Sequence, residues 1–260
     1  MEKVSIIMPA YNEEKRIGKT LEAYSSYFNK ERKNKKLNYE ILVVINNTKD
    51  KTEEIVKEHI KKNPSIRYLN FKRGGKGFAV IEGFKDALKR ENYMVGFVDA
   101  DMATSPDEYA KLIFSIKYCD GAIASRYIEG AKLFPKQSIQ RIIASRIYNA
   151  LIRILLMIPY RDTQCGAKIF KRVAIESALP YLSMSKWAFD IDLLYNIRKR
   201  GFKINEIPTV WSDKNYSKIN FLQAGPWMAL GVVRLRILNS IFRDFIRIYD
   251  NLLNRIWRLK

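Results

Sequence analysis

The stretch Tyr93-Met94-Val95-Gly96-Phe97-Val98-Asp99-Ala100-Asp101 decides the fold. An uncharged, largely apolar run ends abruptly in two carboxylates, the pattern of a strand buried on both faces, as in parallel sheets. Upstream, Gly77–Arg90 has helical spacing and Ile66–Leu69 is a second short apolar run. The alternation extends back through a helix over Asp50–Lys61, a strand over Tyr39–Ile45, a charged linker over Asn29–Lys36, a helix from Glu13 to about Phe28 and a first strand over Val4–Met8. Strands alternating with helices predict an α/β domain with a mainly parallel sheet. In such sheets ligands gather outside the carboxyl ends of the strands, so the residues just past each strand are the ones to inspect.

Asp99 and Asp101 stand two apart on an extended chain and share a face, which lets both carboxylates enter the crevice. Hard oxygen donors there favour Mg²⁺ or Mn²⁺ bridging the phosphates of a substrate. The bare tripeptide also reads as a solvated turn; its place after a buried strand favours the site. Lys72-Arg73-Gly74-Gly75-Lys76-Gly77 lies between a strand and a helix. Glycine lets the backbone approach an anion there and the helix N-terminus adds partial positive charge, so the loop suits a diphosphate; the plainer reading is a flexible basic turn. It matches neither the Walker pattern nor G-x-G-x-x-G. Pro9-Ala10-Tyr11-Asn12-Glu13 follows the first strand and Asn46-Asn47-Thr48-Lys49-Asp50 the second, on the same edge as Asp99. Their ring and amides suit a nucleobase, while either alone is ordinary turn and N-cap chemistry.

The 260 residues carry 47 Lys and Arg against 27 Asp and Glu, a formal charge of +20 that implies a polyanionic partner: nucleic acid, anionic lipid or a phosphorylated substrate. A Lys/Glu-rich thermophile surface is the bland alternative. With His59 the only histidine, a His-rich metal site and a pair of imidazoles sharing acid and base work are excluded. Cys119 and Cys165 form no C-x-x-C and are too few for a disulfide framework, which fits a reducing, cytosol-facing compartment.

Beyond Pro106 the pattern predicts a helix to about Lys117, a strand near Gly121–Ser125 and a long segment over Gln137–Ile158. From Leu222 onward Leu238, Ile241, Phe242, Phe245, Tyr249, Leu252, Leu253, Ile256 and Trp257 make a helical apolar stripe interspersed with arginines. The expected organisation is a catalytic domain over 1–218 and amphipathic C-terminal helices over 219–260. No run reaches the roughly 18 apolar residues of a spanning helix, and Val4–Met8 is too short for a signal peptide.

Taken in order, PAYNEE at 9–14, NNTKDKT at 46–52, RGGKG at 73–77, DADMAT at 99–104, ASRY at 124–127, RDTQCGAKIF at 161–170 and WAFDIDLLY at 187–195 closely resemble glycosyltransferase family 2. Within it they resemble the polyprenyl-phosphate branch of dolichyl-phosphate glucosyltransferases and mannose synthases, over roughly Val4 to Lys218. RDTQCG, WAFD and DADMAT lean toward the glucosyl enzymes. The resemblance implies a Rossmann-like GT-A fold, a divalent metal and a nucleotide-sugar donor, with UDP-glucose favoured, and inverting transfer to a dolichyl or polyprenyl phosphate. It places Pro9, Tyr11 and Glu13 at the nucleoside, Asp99 and Asp101 at the metal–diphosphate, and Arg126, Arg141 and Ser145 at the acceptor phosphate; Ala100, between the two carboxylates, and Lys76, of the basic glycine loop, are counted with the donor-binding residues. Asp190 takes the acidic position that serves as base when the acceptor is a hydroxyl, and is read as a sugar or acceptor contact. It opens a helix together with Asp192, where first-turn acids are also favoured on structural grounds alone. Where relatives carry Asp-Asp-Gly-Ser after the second strand, this chain has Ile45-Asn46-Asn47-Thr48; Asn46 is the candidate for accepting a bond from a pyrimidine N–H.

The residue chemistry agrees. A phosphomonoester with a second pKa of about 6 is already an anionic nucleophile at neutral pH, so a chain with one histidine needs no strong base. Arginine forks suit its oxygens. An acceptor that lives in a bilayer requires an interfacial surface, expected from Gln137–Ile158 and the terminal helices on the cytoplasmic face of an anionic membrane. The same stripes suit packing on the domain or a homo-oligomer seam. GDP-mannose and UDP-N-acetylglucosamine are the alternative donors. A nucleic-acid-binding protein is disfavoured, because the motifs gather at strand ends rather than in one basic groove; an inactive membrane scaffold is disfavoured by the presence of both aspartates.

Overall fold

Unbroken runs of Val, Ile and Leu build the sheet at the centre of the molecule. In this computed structural model, which describes residues 2–135, 139–182, 188–212, 221–246 and 250, with the side chains of 139–141, 221–224, 226 and 244 left aside, the first half is a regular alternation. It runs β1 (Lys3–Ala10), α1 (Ile17–Lys33), β2 (Asn38–Asn46), α2 (Thr52–Lys62), β3 (Ile66–Phe71), α3 (Lys76–Ala87) and β4 (Met94–Val98). Then follow α4 (Pro106–Ser115), β5 (Gly121–Ser125), β6 (Lys132–Phe134), α5 (Ile139–Leu156), β7 (Ala167–Lys171), α6 (Arg172–Ala178), α7 (Phe189–Lys199), β8 (Ile204–Pro208), β9 (Val210–Ser212) and α8 (Phe221–Leu238).

Seven strands form one sheet in the order β3-β2-β1-β4-β7-β5-β8, and β6 pairs with β9 beside it. All neighbours in the main sheet are parallel except β7, which runs against both β4 and β5. The α/β fold with a mainly parallel sheet is therefore as the sequence predicts. Alternation along β1 divides the core: Val4, Ile6 and Met8 face Tyr24, Phe28 and Tyr109 of α1 and α4, whereas Ile7 faces Phe84 and Phe97 on the α3 side. Fully burying each such side chain contributes about 1.5–3 kcal/mol.

Two departures from the sequence reading have physical causes. Helix α1 continues to Lys33 through residues read as linker, because Lys30, Arg32 and Lys33 are good helix formers and suit the negative C-terminal end. Strand β7 is absent from that reading because Lys168 interrupts its apolar run. In α8, Met228, Val232 and Leu235 are buried at helical spacing and Tyr148 Oη donates to Met228 O at 3.3 Å, which ties this helix to α5 and the domain. Among the described residues no helix is long and apolar enough to cross a membrane. Tyr249, Leu252, Leu253, Ile256 and Trp257 of the terminal stripe lie outside the described residues.

Candidate active site

The end of β4 is held open by its reversed neighbour. Asp99 N–H donates to Gly166 O at 2.9 Å, and a Cβ on Gly166 would stand 1.8 Å from Asp99 Oδ2, so only glycine allows this approach. Asp99 Oδ1 lies 2.6 Å from Lys76 Nζ, and both side chains remain about a third exposed (36% and 37%), open to a ligand. Asp101 Oδ1 accepts the Ala103 N–H at 2.9 Å, and Ala100 O accepts the Thr20 hydroxyl at 2.7 Å. Burial, then the charge of Asp99, pushes the Asp101 carboxyl above its ordinary pKa. Glu13, paired with Arg16 at 2.6 Å, is also pushed up, by burial first; Arg16 opposes, and Asp101 and Asp99 add to the rise. Carboxylates so crowded are in want of positive charge. Among the described residues no three His, Cys, Asp or Glu side chains gather into a metal-binding cluster. Two carboxylates completed by phosphate oxygens are what Mg²⁺ or Mn²⁺ accepts, so the donor set fits such an ion.

The Gly-rich loop is fixed from below. Gly75 has a φ of 125°, open to glycine alone, and its N–H donates to Asn46 Oδ1 at 3.0 Å while Asn46 Nδ2 donates to Ala10 O at 2.9 Å. Asn46 is thus buried and bonded at both ends of its amide, a clamp between the first-strand loop and the start of α3. Tyr11 is half-exposed and Pro9 partly buried on the same rim. Burial disfavours charge on Lys76, but Asp99 and then Asp190 outweigh it and hold the ammonium. Asn12, Asn47 and Met102, in the loops that follow β1, β2 and β4, all have positive φ, of 52°, 49° and 60°. Such strain, roughly 1–3 kcal/mol for a non-glycine residue, collects at binding sites.

On the other side of β7, Arg126 forms a two-pronged pair with Asp162, Nε to Oδ2 at 2.7 Å and Nη2 to Oδ1 at 2.9 Å. The Asp162 side chain is wholly buried; burial opposes its charge, yet Arg126 holds the carboxyl below the ordinary range. The guanidinium lies 5.3 Å from the rings of both Tyr127 and Trp211. Ser145 meets Tyr127 Oη at 2.7 Å, and Asn149 joins Ser145 O to Thr163. Arg126 and Ser145 therefore share one cluster through Tyr127. The side chain of Arg141, in the first turn of α5, lies outside the described residues, as does Trp187. Cys165 is buried packing in the loop before β7.

Helix α7 separates the two acids that open it. Asp190 faces the site, its Oδ1 2.5 Å from Lys168 Nζ; Asp192, two residues on, is buried with Oδ1 accepting from Asn196 Nδ2 at 2.7 Å. Lys168, Tyr127, Asn149 and Trp211 are site residues that the sequence reading does not include. Of these only Lys168 carries a signal, a charge inside an otherwise apolar run.

A carboxylate pair ending the fourth strand of this sheet, faced by a basic glycine loop and closed by one reversed strand, is the architecture of a GT-A glycosyltransferase. The chain belongs to glycosyl transferase family 2, whose family model matches residues 5–179. It is 32% identical over 243 residues to a dolichyl-phosphate beta-glucosyltransferase of Dictyostelium discoideum, covering 90% of this chain and 73% of that one. Its identity with the human protein of the same name is 29% over 256 residues, covering 93% and 78%. In fold it is similar to glucosyl-3-phosphoglycerate synthase from Mycobacterium tuberculosis, solved with Mn²⁺, UDP and glucosyl-3-phosphoglycerate, at a TM-score of 0.64 and 18% identity over 91% of this chain and 79% of that one. A mannosyltransferase from Pyrobaculum calidifontis, solved with GDP-Man and Mn²⁺, aligns at a TM-score of 0.61 and 18% identity over 95% and 68%.

Proposed function

We propose that this glycosyltransferase transfers glucose from UDP-glucose to a dolichyl or other polyprenyl phosphate, with inversion and with Mg²⁺ or Mn²⁺ as the metal. The observation that carries the reading is the pairing, across β7, of a carboxylate and lysine site at Asp99, Asp101 and Lys76 with a separate arginine and hydroxyl cluster at Arg126 and Ser145. The names of the relatives support the acceptor and the sugar.

In this reading Pro9 and Tyr11 take the nucleoside, and Asn46 serves it indirectly by clamping Ala10 to Gly75. Asp99 and Asp101 hold the divalent ion, which when bound offsets the charge of the departing diphosphate. Lys76, at the start of α3, reaches the same diphosphate. The acceptor phosphate oxygen attacks the anomeric carbon as the bond to the diphosphate oxygen breaks, and UDP leaves carrying that electron pair. Since the nucleophile arrives ionised, no residue needs to remove its proton. Arg126, whose Nη1 makes no hydrogen bond among the described residues, and Ser145 orient the phosphate, with Arg141 as a third partner. The test is direct: incubated with polyprenyl phosphate, Mn²⁺ and separate UDP-glucose, GDP-mannose and UDP-N-acetylglucosamine, the protein is expected to yield a glucosylated lipid by mass. Product only from another donor refutes the sugar, and no lipid product from any donor refutes the acceptor.

Helix α5 links this site to a lipid surface. Its inner face carries Ser145, Asn149, Ile152 and Leu156; Ile143, Ile147 and Ile154 project outward beside Arg146 and Arg153, with Ile147 65% and Ile154 76% exposed. Such a face suits the headgroup plane of an anionic, cytoplasm-facing bilayer. Ile147→Asp with Ile154→Asp is expected to weaken partitioning onto vesicles containing phosphatidylserine, read by flotation, by about a hundredfold, since each apolar side chain withdrawn from lipid forfeits about 1.5 kcal/mol or more and the pair about 3 kcal/mol. Undiminished flotation would place the contact elsewhere, and sedimentation of a dimer through this face would favour an oligomer seam.

A further inference from the structure

Lys168 sits at the centre of β7, opposite Phe97 of β4 and Ile123 of β5, and has no exposed surface. Its ammonium is met entirely by protein: Cys165 O accepts at 2.7 Å, Asp190 Oδ1 at 2.5 Å, and the Phe97 ring lies 5.1 Å away. Placing an ammonium there costs stability that an apolar side chain would not, and its neighbours Ile169 and Phe170 are buried without such a cost. The fold alone gives no reason for it.

Asp190 supplies the reason. Its Oδ1 is anchored, whereas its Oδ2 accepts no hydrogen bond among the described residues, and the carboxyl is 19% exposed. After Lys168, the strongest attraction on it comes from Lys76, which is itself bonded to Asp99. The Asp190 carboxyl thus lies within the field of the lysine that meets Asp99, next to where a sugar on the diphosphate would lie, with one oxygen unengaged. We propose that Lys168 is a positioning residue, locking one oxygen of Asp190 from inside the sheet so that the other is presented to the donor sugar. This rests on the donor reading of the preceding subsection. Lys168 also offsets the negative charge of Asp190, easing the approach of an anionic acceptor.

The experiment is a double-mutant cycle over Lys168→Met, Asp190→Asn and the pair together. It reads transfer from UDP-glucose to a short polyprenyl phosphate, together with calorimetric binding of UDP and of UDP-glucose in Mn²⁺. Lys168→Met is expected to lower kcat by about 10- to 100-fold, the cost of misplacing a contact by an ångström or less, and to narrow the preference for UDP-glucose over UDP while UDP affinity stays within about twofold. Asp190→Asn is expected to do the same, and the double variant to be no worse than Asp190→Asn alone. Full activity in Lys168→Met, or a double variant worse than Asp190→Asn by the factor Lys168→Met costs alone, overturns the inference. If Lys168→Met does not fold, the double variant, which leaves no buried charge unpaired, is compared with Asp190→Asn and decides by the same criterion. Wild-type protein that binds UDP but transfers nothing from UDP-glucose refutes the donor reading and this inference with it. A wild type that transfers as well as Lys168→Met does overturns the inference alone.

Discussion

Asp101→Asn is expected to reduce sugar transfer by about a thousandfold while the protein stays folded, a loss of the order seen when one preorganised electrostatic contact is removed from a reacting centre. The amide keeps the bond to Ala103 N–H through its oxygen, so the local turn survives. What goes, on the proposed reading, is one of the two carboxylates that hold the metal at the diphosphate. The stability side has the opposite sign. Burial and Asp99 raise the pKa of Asp101 in the folded state, so its ionised form is disfavoured there and its charge costs stability at neutral pH. The variant is therefore expected to melt at the same temperature as the parent or above it, a residue kept for function at some expense to the fold. Thermal unfolding and transfer measured on one preparation check both halves; an active variant would remove Asp101 from the chemistry, and one that melts well below the parent would show it to be structural.

Asp162→Ala is expected to be the most destabilising single change in the site. It leaves the largely buried guanidinium of Arg126 without its two-pronged partner, an omission that costs about 3–5 kcal/mol, on the order of 10 °C in melting temperature for a chain of this size. The pH dependence follows from the direction of the shift. The folded carboxyl is held below its unfolded value, so the pair's contribution is complete above about pH 4 and is lost as pH falls through the lower, folded value. The gap in stability between parent and variant should be full at pH 7 and shrink in strong acid. Replacing both partners, Arg126→Met with Asp162→Leu, should recover most of the lost stability but not transfer. Denaturant titrations at pH 7 and pH 3 separate these outcomes, and a gap that does not depend on pH would remove the ion pair from the explanation.

The first half of the molecule was legible because its physics is local. Uninterrupted β-branched runs, each followed by a helical period, place β1 to β4 without any long-range information, and the ligand side of a parallel sheet follows from its direction. Asp99, Lys76 and Glu13 come with it, since each stands just past a strand. The reversed strand was not legible, because Lys168 breaks its apolar run and the partner that makes burial tolerable, Asp190, lies 22 residues further along the chain. Nor could spacing show that Arg126 meets Asp162 across 36 residues, or that Asn46 would use both ends of its amide inside the protein. Those are tertiary facts, written in which side chains meet rather than in any period.

The reversed strand has an evolutionary consequence. On the proposed reading the side chains that take the nucleotide and its metal–diphosphate, from Pro9 to Asp101, precede Ser105, whereas those at the acceptor, from Arg126 onward, and Asp190 at the sugar follow it; β7 is the seam that stitches the two halves into one sheet. Nucleotide and acceptor specificity are then each inherited as an uninterrupted block, so a chimera joined near Ser105 exchanges the nucleotide while keeping the lipid and the Asp190 sugar contact, provided the Gly166–Asp99 contact at the seam is preserved.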